Sequence, residues 1–170
     1  MKRILFSITV MLVVFSFNIS YSQDVSIDGV LDNLPKKMWP HFQEIGAIKK
    51  DFWVIIKNTD NMNQKSVMFD LLNGINDASD IYDCQLKLLF TKLFVDESKM
   101  KPYYEFIHHT LKMSYVDLDN AHKTIQDYYT LVENKAALHS ADKAKKILRD
   151  SLSEIESTMT LLDNAIKSMP

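Results

Sequence analysis

Four runs of apolar residues, spaced three and four apart, constrain this chain more than any other feature. The cleanest is the last, in which Ala144, Leu148, Leu152, Ile155, Met159, Leu162, Ile166 and Met169 advance by alternating steps of four and three. A strand exposes every second residue to the same side, whereas these intervals return side chains to one stripe of a 3.6-residue helix. The same interval runs through Met38, Trp39, Phe42, Ile45, Ile48, Phe52, Ile55 and Ile56. It recurs in Val67, Leu71, Leu72 and Ile75, continuing to Ile81, Cys84, Leu88, Leu89 and Leu93. A further ladder runs Tyr104, Ile107, Leu111, Tyr115, Leu118, His122, Ile125, Tyr129 and Val132. Four stripes that must each be covered cover one another most simply as an antiparallel bundle. Only three Gly and four Pro leave little material for the frequent turns of a β fold, and 46% hydrophobic residues is too many for a disordered chain. The expected fold is all-α, an antiparallel four-helix bundle with one or two additional short helices.

Local chemistry suggests where these helices begin and end. Asp32 or Asn33 caps the first, with Pro35 in its opening turn, where a missing N–H costs nothing. Pro40 follows early in the helix, and Gly46 is a weak point. The polar run 58–64 reads as a loop, after which Ser66 caps the second helix. Gly74 and Asn76-Asp77 are expected to interrupt that helix, and Asp117 to Asn120 leaves the third either continuous or broken. Ser140 is the expected cap of the fourth.

Residues 1–22 read as a signal peptide: basic Lys2 and Arg3, an apolar run from Ile4 to Phe17, and the small residues Ser20 and Ser22 before Gln23. The apolar run is shorter than the roughly 20 residues a spanning helix needs. Residues 23–170 are then one secreted, soluble domain. Removing Lys2 and Arg3 leaves 18 basic against 22 acidic side chains, and no basic stripe points to nucleic acid or to membrane. Cys84 is the single cysteine, so no internal disulfide can form; its ladder position predicts a buried, inert thiol, and a monomer is expected.

The search for chemistry excludes more than it finds. There is no His-Glu-x-x-His, no cysteine pair and no phosphate-cradling Gly-rich loop, and the chain lacks the two Glu-x-x-His motifs that a di-iron bundle needs. His108 and His109 are adjacent, so on a helix they diverge by about 100°. His41, His122 and His139 read as surface or core-edge residues. Of Tyr103, Tyr104, Tyr128 and Tyr129, each pair is expected to send one ring inward and one outward. No enzyme activity, cofactor or metal is expected.

Certain patches resemble a known family. The segment Pro35-Lys36-Lys37-Met38-Trp39-Pro40-His41-Phe42 resembles the Pro-x-Lys-Leu-Trp-x-x-Phe opening of interleukin-24-like chains. Leu71-Leu72, Asp77-Ala78 and Cys84-Gln85-Leu86 echo a Leu-Leu, Asp-Ala and Cys-x-Leu succession, and Leu93-Phe94 a Val-Phe helix ending. Ser151-Leu152-Ser153-Glu154-Ile155-Glu156 is similar to a Leu-Gly-Glu-Leu-Asp signature near the C-terminus. Together these patches resemble the interleukin-10 family of class II helical cytokines, in particular the interleukin-19, -20 and -24 subgroup. The family's other cysteines are missing, and Ser153 stands in place of its Gly. With the bias to Lys, Asn and Ile, this suits a fast-diverging copy such as one carried by a large DNA virus.

The resemblance implies a secreted ligand that bridges two cell-surface class II cytokine receptor chains, of the interleukin-20 receptor type, to start JAK/STAT signalling. It implies a first receptor face at Lys49, Asp51, Asn58, Asp60, Asn61, Asp163 and Lys167. A second face falls at Lys37, His41, Glu105, His109 and Lys112. Lys145 and Lys146 are assigned to the outer, non-binding face. The rival reading is a bacterial exported helical bundle serving as a sensor or binding module for an unknown ligand.

Overall fold

The computed structural model describes residues 27–86 and 100–169. The expected leader and the ladder positions Leu88, Leu89 and Leu93 lie outside them. Four helices carry the fold: α1 (Ile27–Lys57), α2 (Met62–Ile81), α3 (Met100–Tyr129) and α4 (Lys135–Ser168). A π-helical turn, Tyr82–Leu86, extends α2 and is the one short element among the described residues.

Each helix packs on its neighbours in sequence, and α4 closes the ring on α1, leaving α1 and α3 across the diagonal. Contacts set the directions. Lys37 and His41 of α1 meet Glu154 and Ser151 of α4, so one helix descends as the other climbs. Gly74 faces Ala121 to Ile125 while Gln85, further along α2, bonds Asp117, earlier in α3. Tyr129 meets Asp142 and His108 meets Asp163, which runs α3 against α4. The α1–α2 and α3–α4 connections, residues 58–61 and 130–134, turn over at the same end. Gln64 ties them, donating to the Leu131 carbonyl at 3.2 Å and accepting from the Glu133 N–H at 2.9 Å. The all-α, antiparallel four-helix expectation is met, in up-down-up-down order with two tight connections; cytokine bundles of up-up-down-down order use two long crossovers.

The core is the inward stripe of all four helices. It includes Met38, Ile45 and Phe52 from α1, Met68, Leu71 and Ile75 from α2, Leu111, Leu118 and Ile125 from α3, and Leu148, Ile155 and Leu162 from α4. Tyr104 is buried, but Tyr103, Tyr128 and Tyr129 are all half-buried against the core, so neither pair sends a ring fully outward.

Several boundaries differ from expectation for identifiable reasons. The first helix begins at Ile27, which puts Pro35 and Pro40 in its interior. Each removes a bond to the carbonyl four residues back, Leu31 and Lys36. The flanking core residues Leu34 and Met38 hold the segment helical despite that loss. Asn61, not Ser66, caps α2, its side chain accepting from the N–H groups of Asn63 and Gln64. Asn134, not Ser140, caps α4 by the same geometry, and Ser140 is buried one turn further in. Neither Gly74 nor Asn76-Asp77 interrupts α2, and α3 is continuous through Asp117 to Asn120. Because α2 does not break, its stripe runs in phase from Ile75 through Ala78 to Tyr82, and Leu86 follows across the π turn. Cys84 therefore falls outside the stripe and is exposed, correcting the buried thiol.

Candidate interaction surface

The residues of the expected first face separate. Asn58, Asp60 and Asn61 lie at the end where the two tight connections meet, with Lys49 and Asp51 about two turns below. Asp163 and Lys167 are near the C-terminus of α4, which runs the other way, and Asp163 sits beside His108 near the start of α3. At 1.5 Å per residue, Asn58 and Asp163 are separated by roughly 40 Å along the bundle. They cannot form one compact patch, because antiparallel α1 and α4 place the C-terminal halves of both at opposite ends. The second face divides too. Lys37 and His41 border the α1–α4 seam, while Glu105, His109 and Lys112 lie on the outer side of diagonal α3. There they flank an exposed apolar stripe, Phe106, Met113 and Val116.

The α1–α4 seam holds the most ordered polar group. Ser151 occupies a core position of α4, between Leu148 and Ile155, and is fully buried. Its hydroxyl donates to the Ile147 carbonyl at 2.8 Å. Its oxygen then has two lone pairs to offer, and two donors reach it: the phenol of Tyr82 and, at 2.8 Å, the Nδ1 of His41. Burial pushes the Tyr82 phenol well above its usual range, with the Asp150 charge adding to the effect and the Ser151 bond opposing it. The phenol is thus a permanent donor. With the Ser151 hydroxyl donating to Ile147, the contact with His41 fits Nδ1–H as the donor. A Ser beside a His suggests a nucleophile and its base, but this hydroxyl is fully buried and lies within hydrogen-bond reach of the Ile147 carbonyl. The triad orients His41 rather than activating Ser151.

His41 borders a furrow with Lys37, Asp150, Ser153 and Glu154, which runs on past the Lys37–Glu154 pair (2.6 Å) to Asn33, Leu34, Ser157 and Leu161. A second furrow between α2 and α3 is acidic, with Asp77, Asp80 and Asp117 on its walls. No group of three or more His, Cys, Asp or Glu among the described residues is arranged to hold a metal ion, and no described helix is long and apolar enough to cross a membrane.

On α3, His122 faces α4. Its Nε2 is buried without a hydrogen-bond partner among the described residues, and burial, then the cations of Arg149 and Lys145, lower its pKa against the opposing Asp119. Lys145 is not on the outer face: its side chain is mostly covered, with the ammonium 4.0 Å from the centre of the Tyr129 ring. Lys146 is exposed as expected.

Large aromatic side chains organise the flank of α1 that faces α2. Trp39 is 47% exposed and packs on Phe42, which in turn reaches Tyr82. Three helical turns on from Phe42, Trp53 is 42% exposed and meets Phe69 of α2 edge-on at 5.5 Å. Trp39 and Phe42 were not legible as a surface, because both also satisfy the core ladder, whereas Trp53 and Phe69 fall outside every ladder and are brought together only by the packing of α1 on α2. Ser151 left no signal, because the four-three spacing from Leu148 to Ile155 is met by Leu152, although it is Ser151 that is fully buried and Leu152 only partly so. No protein-family model, curated protein or solved structure matches the chain.

Proposed function

We propose that the chain is an exported protein-recognition module, a four-helix scaffold whose work is done by exposed side chains rather than by bond chemistry. The observation that carries this reading is the ordering of its outward apolar groups: paired rings at Trp39–Phe42 and Trp53–Phe69, and the α3 stripe Phe106, Met113 and Val116. Clusters of large apolar side chains on a helical scaffold mark surfaces that another protein covers. Photo-crosslinkers placed beside Trp39 and beside Met113 should capture a partner from the extracellular face of target cells. Capture should fall at least tenfold on Trp39→Gln with Trp53→Gln, or on Phe106→Gln with Met113→Gln. Undiminished capture in both double variants would remove the reading.

The outward position of Trp39 beside Phe42 also favours the finer reading, a receptor-bridging ligand of the interleukin-20 receptor type, since this pair belongs to the segment that resembles interleukin-24-like chains. The tight connections weigh against it. A soluble interleukin-20 receptor chain pair should bind the mature protein and lose at least tenfold in affinity on Trp39→Ala, with STAT phosphorylation only in cells carrying both chains. If no class II receptor chain binds at micromolar concentration, this finer reading falls and the exported binding module stands.

A further inference from the structure

The outward face of α3 is arranged symmetrically about His109. With about 100° of turn per residue, Glu105, Phe106, His109, Lys112, Met113 and Val116 form one stripe reaching about 60° to either side of His109, and all are exposed. The stripe has two edges. Phe106 and Met113 lie to one side of His109, whereas Glu105 and Lys112 lie to the other. Phe106, Met113 and Val116 are each about half exposed. Helices α2 and α4 flank α3, and α1 is diagonal to it, so no described helix covers this stripe. Glu105 and Lys112 form no ion pair among the described residues, and about 10 Å of helix rise keeps them apart from each other.

A two-fold axis set across α3 at the level of His109 reverses the direction of the helix but keeps each edge of the stripe on its own side. Residues equally far before and after His109 then face each other across the axis. On the apolar edge Phe106, three before, meets Met113, four after. On the charged edge Glu105, four before, meets Lys112, three after. Along the middle Pro102 meets Val116, each seven away, and His109 meets its own copy. Every off-axis contact occurs twice, apolar on apolar and acid on base. A parallel pairing would instead set Glu105 on Glu105 and Lys112 on Lys112. The stripe is thus complementary in charge to itself, in one orientation only, which is what an isologous interface requires. A foreign apolar helix would leave both charges unmatched.

We infer that the outward face of α3 is the interface of an antiparallel homodimer, with Glu105 of each copy on Lys112 of the other and Phe106 on Met113. This goes beyond the recognition reading above: it gives the α3 stripe to a second copy and leaves the aromatic pairs of α1 to a foreign partner. It also departs from the monomer expected for the chain. One helix laid on one helix is a small contact, so the dimer is weak and forms reversibly at tens of micromolar.

Sedimentation equilibrium of the purified chain tests this with no partner present. Glu105→Lys sets lysine against Lys112 twice, and Lys112→Glu sets glutamate against Glu105 twice, so each variant alone should associate at least tenfold more weakly than the parent. Mixing the two single variants should restore the dimer, because only the mixed pair is complementary at both contacts. Glu105→Lys combined with Lys112→Glu in one chain should dimerise as the parent does. Both positions are exposed and both replacements are good helix formers, so the fold is not at stake. Phe106→Gln with Met113→Gln should abolish the dimer, and Trp39→Gln with Trp53→Gln should leave it unchanged. In a Cys84→Ser background, His109→Cys should oxidise to a covalent dimer across the axis, whereas Asp127→Cys, exposed on the same side about five turns further along, should not. A parent that stays monomeric at hundreds of micromolar, single variants that associate as the parent does, or single variants that do not complement on mixing would each overturn the inference. Capture of a cell-surface partner beside Trp39 would survive all three results and keep the recognition reading. Loss of that capture with the dimer intact would remove the recognition reading alone.

Discussion

Ser151 shows how one polar atom in an apolar stripe can organise three helical segments. Its oxygen receives Tyr82 from the end of α2 and His41 from α1 while its proton stays on its own helix. Ser151→Ala removes the shared acceptor and leaves a buried phenol without a partner, which should cost about 1–3 kcal/mol. Adding Tyr82→Phe removes the orphaned hydroxyl as well, so the double variant should be no less stable than Ser151→Ala alone and should recover part of the loss. Urea midpoints of the parent, the two single variants and the double variant measure this, and strictly additive losses would mean the three groups do not act together. The glycines make a complementary pair. Ala at Gly74 would place its Cβ 2.9 Å from Ile125 Cγ1 and 3.0 Å from the Ala121 carbonyl oxygen, so Gly74→Ala should destabilise by about 1–3 kcal/mol. Gly46→Ala, in open space, should instead stabilise by roughly 0.5–1 kcal/mol. Both glycines look alike in the sequence, and both read there as weak points of a helix. What separates them is what the neighbouring helix brings opposite, which no local pattern encodes.

At the scale of elements, the number of helices and their inward faces were legible, because a 3.6-residue period survives wherever an amphipathic helix has to be half-buried. Their ends were less so. Asn61 competed with Ser66, and Asn134 with Ser140; all four are good capping residues, and the choice falls to whichever leaves the next apolar residues in phase with the core. Asn134→Ala should therefore cost about 1 kcal/mol, seen as a lowered midpoint with an unchanged denaturant slope. Ser140→Ala, inside the helix and buried, should cost less. Cys84 illustrates how a local change of helix type misplaces a residue: Ile81 is buried as its ladder position predicts, but the π turn from Tyr82 to Leu86 sends Tyr82 and Leu86 inward and leaves the thiol on the surface. The native protein should react stoichiometrically with a thiol reagent at a rate close to that of the urea-unfolded chain, and Cys84→Ser should leave the melting temperature within about 0.5 kcal/mol equivalent. Strong protection of the thiol in the native state would contradict the exposed position.

For the molecule as a whole, the candidate site was harder to read than the fold for a related reason. Leu71, Leu72, Ala78, Leu86, Ser151 and Ile155, which carry much of the resemblance to class II cytokines, are all buried. Such positions obey packing rules that any bundle shares. The outward positions, which decide partners, have no period to reveal them, and grouping them requires knowing that α1 and α4 run in opposite directions. That antiparallel ring also brings a titratable side chain into the α3–α4 seam. His122 of α3 enters the contact with α4 with its Nε2 enclosed and unpartnered among the described residues, facing Lys145 and Arg149 of α4, with Lys123 and Asp119 on its own helix. Tyr129 and Asp142 complete the charged surroundings across the same seam. Burial and the neighbouring cations lower the folded-state pKa of His122 below the ordinary histidine value of 6.5. A lowered histidine pKa means that the unfolded chain takes up its proton first as pH falls. Stability should therefore hold above the unfolded value of 6.5 and decline as pH drops from there through the folded value. Replacing His122 by Gln, which keeps a polar side chain but does not titrate, should flatten this part of the urea-midpoint profile between pH 8 and pH 5. A parent profile that rises on acidification across this interval, or a His122→Gln profile that declines as steeply as the parent's, would show that the α3–α4 seam does not carry the pH dependence.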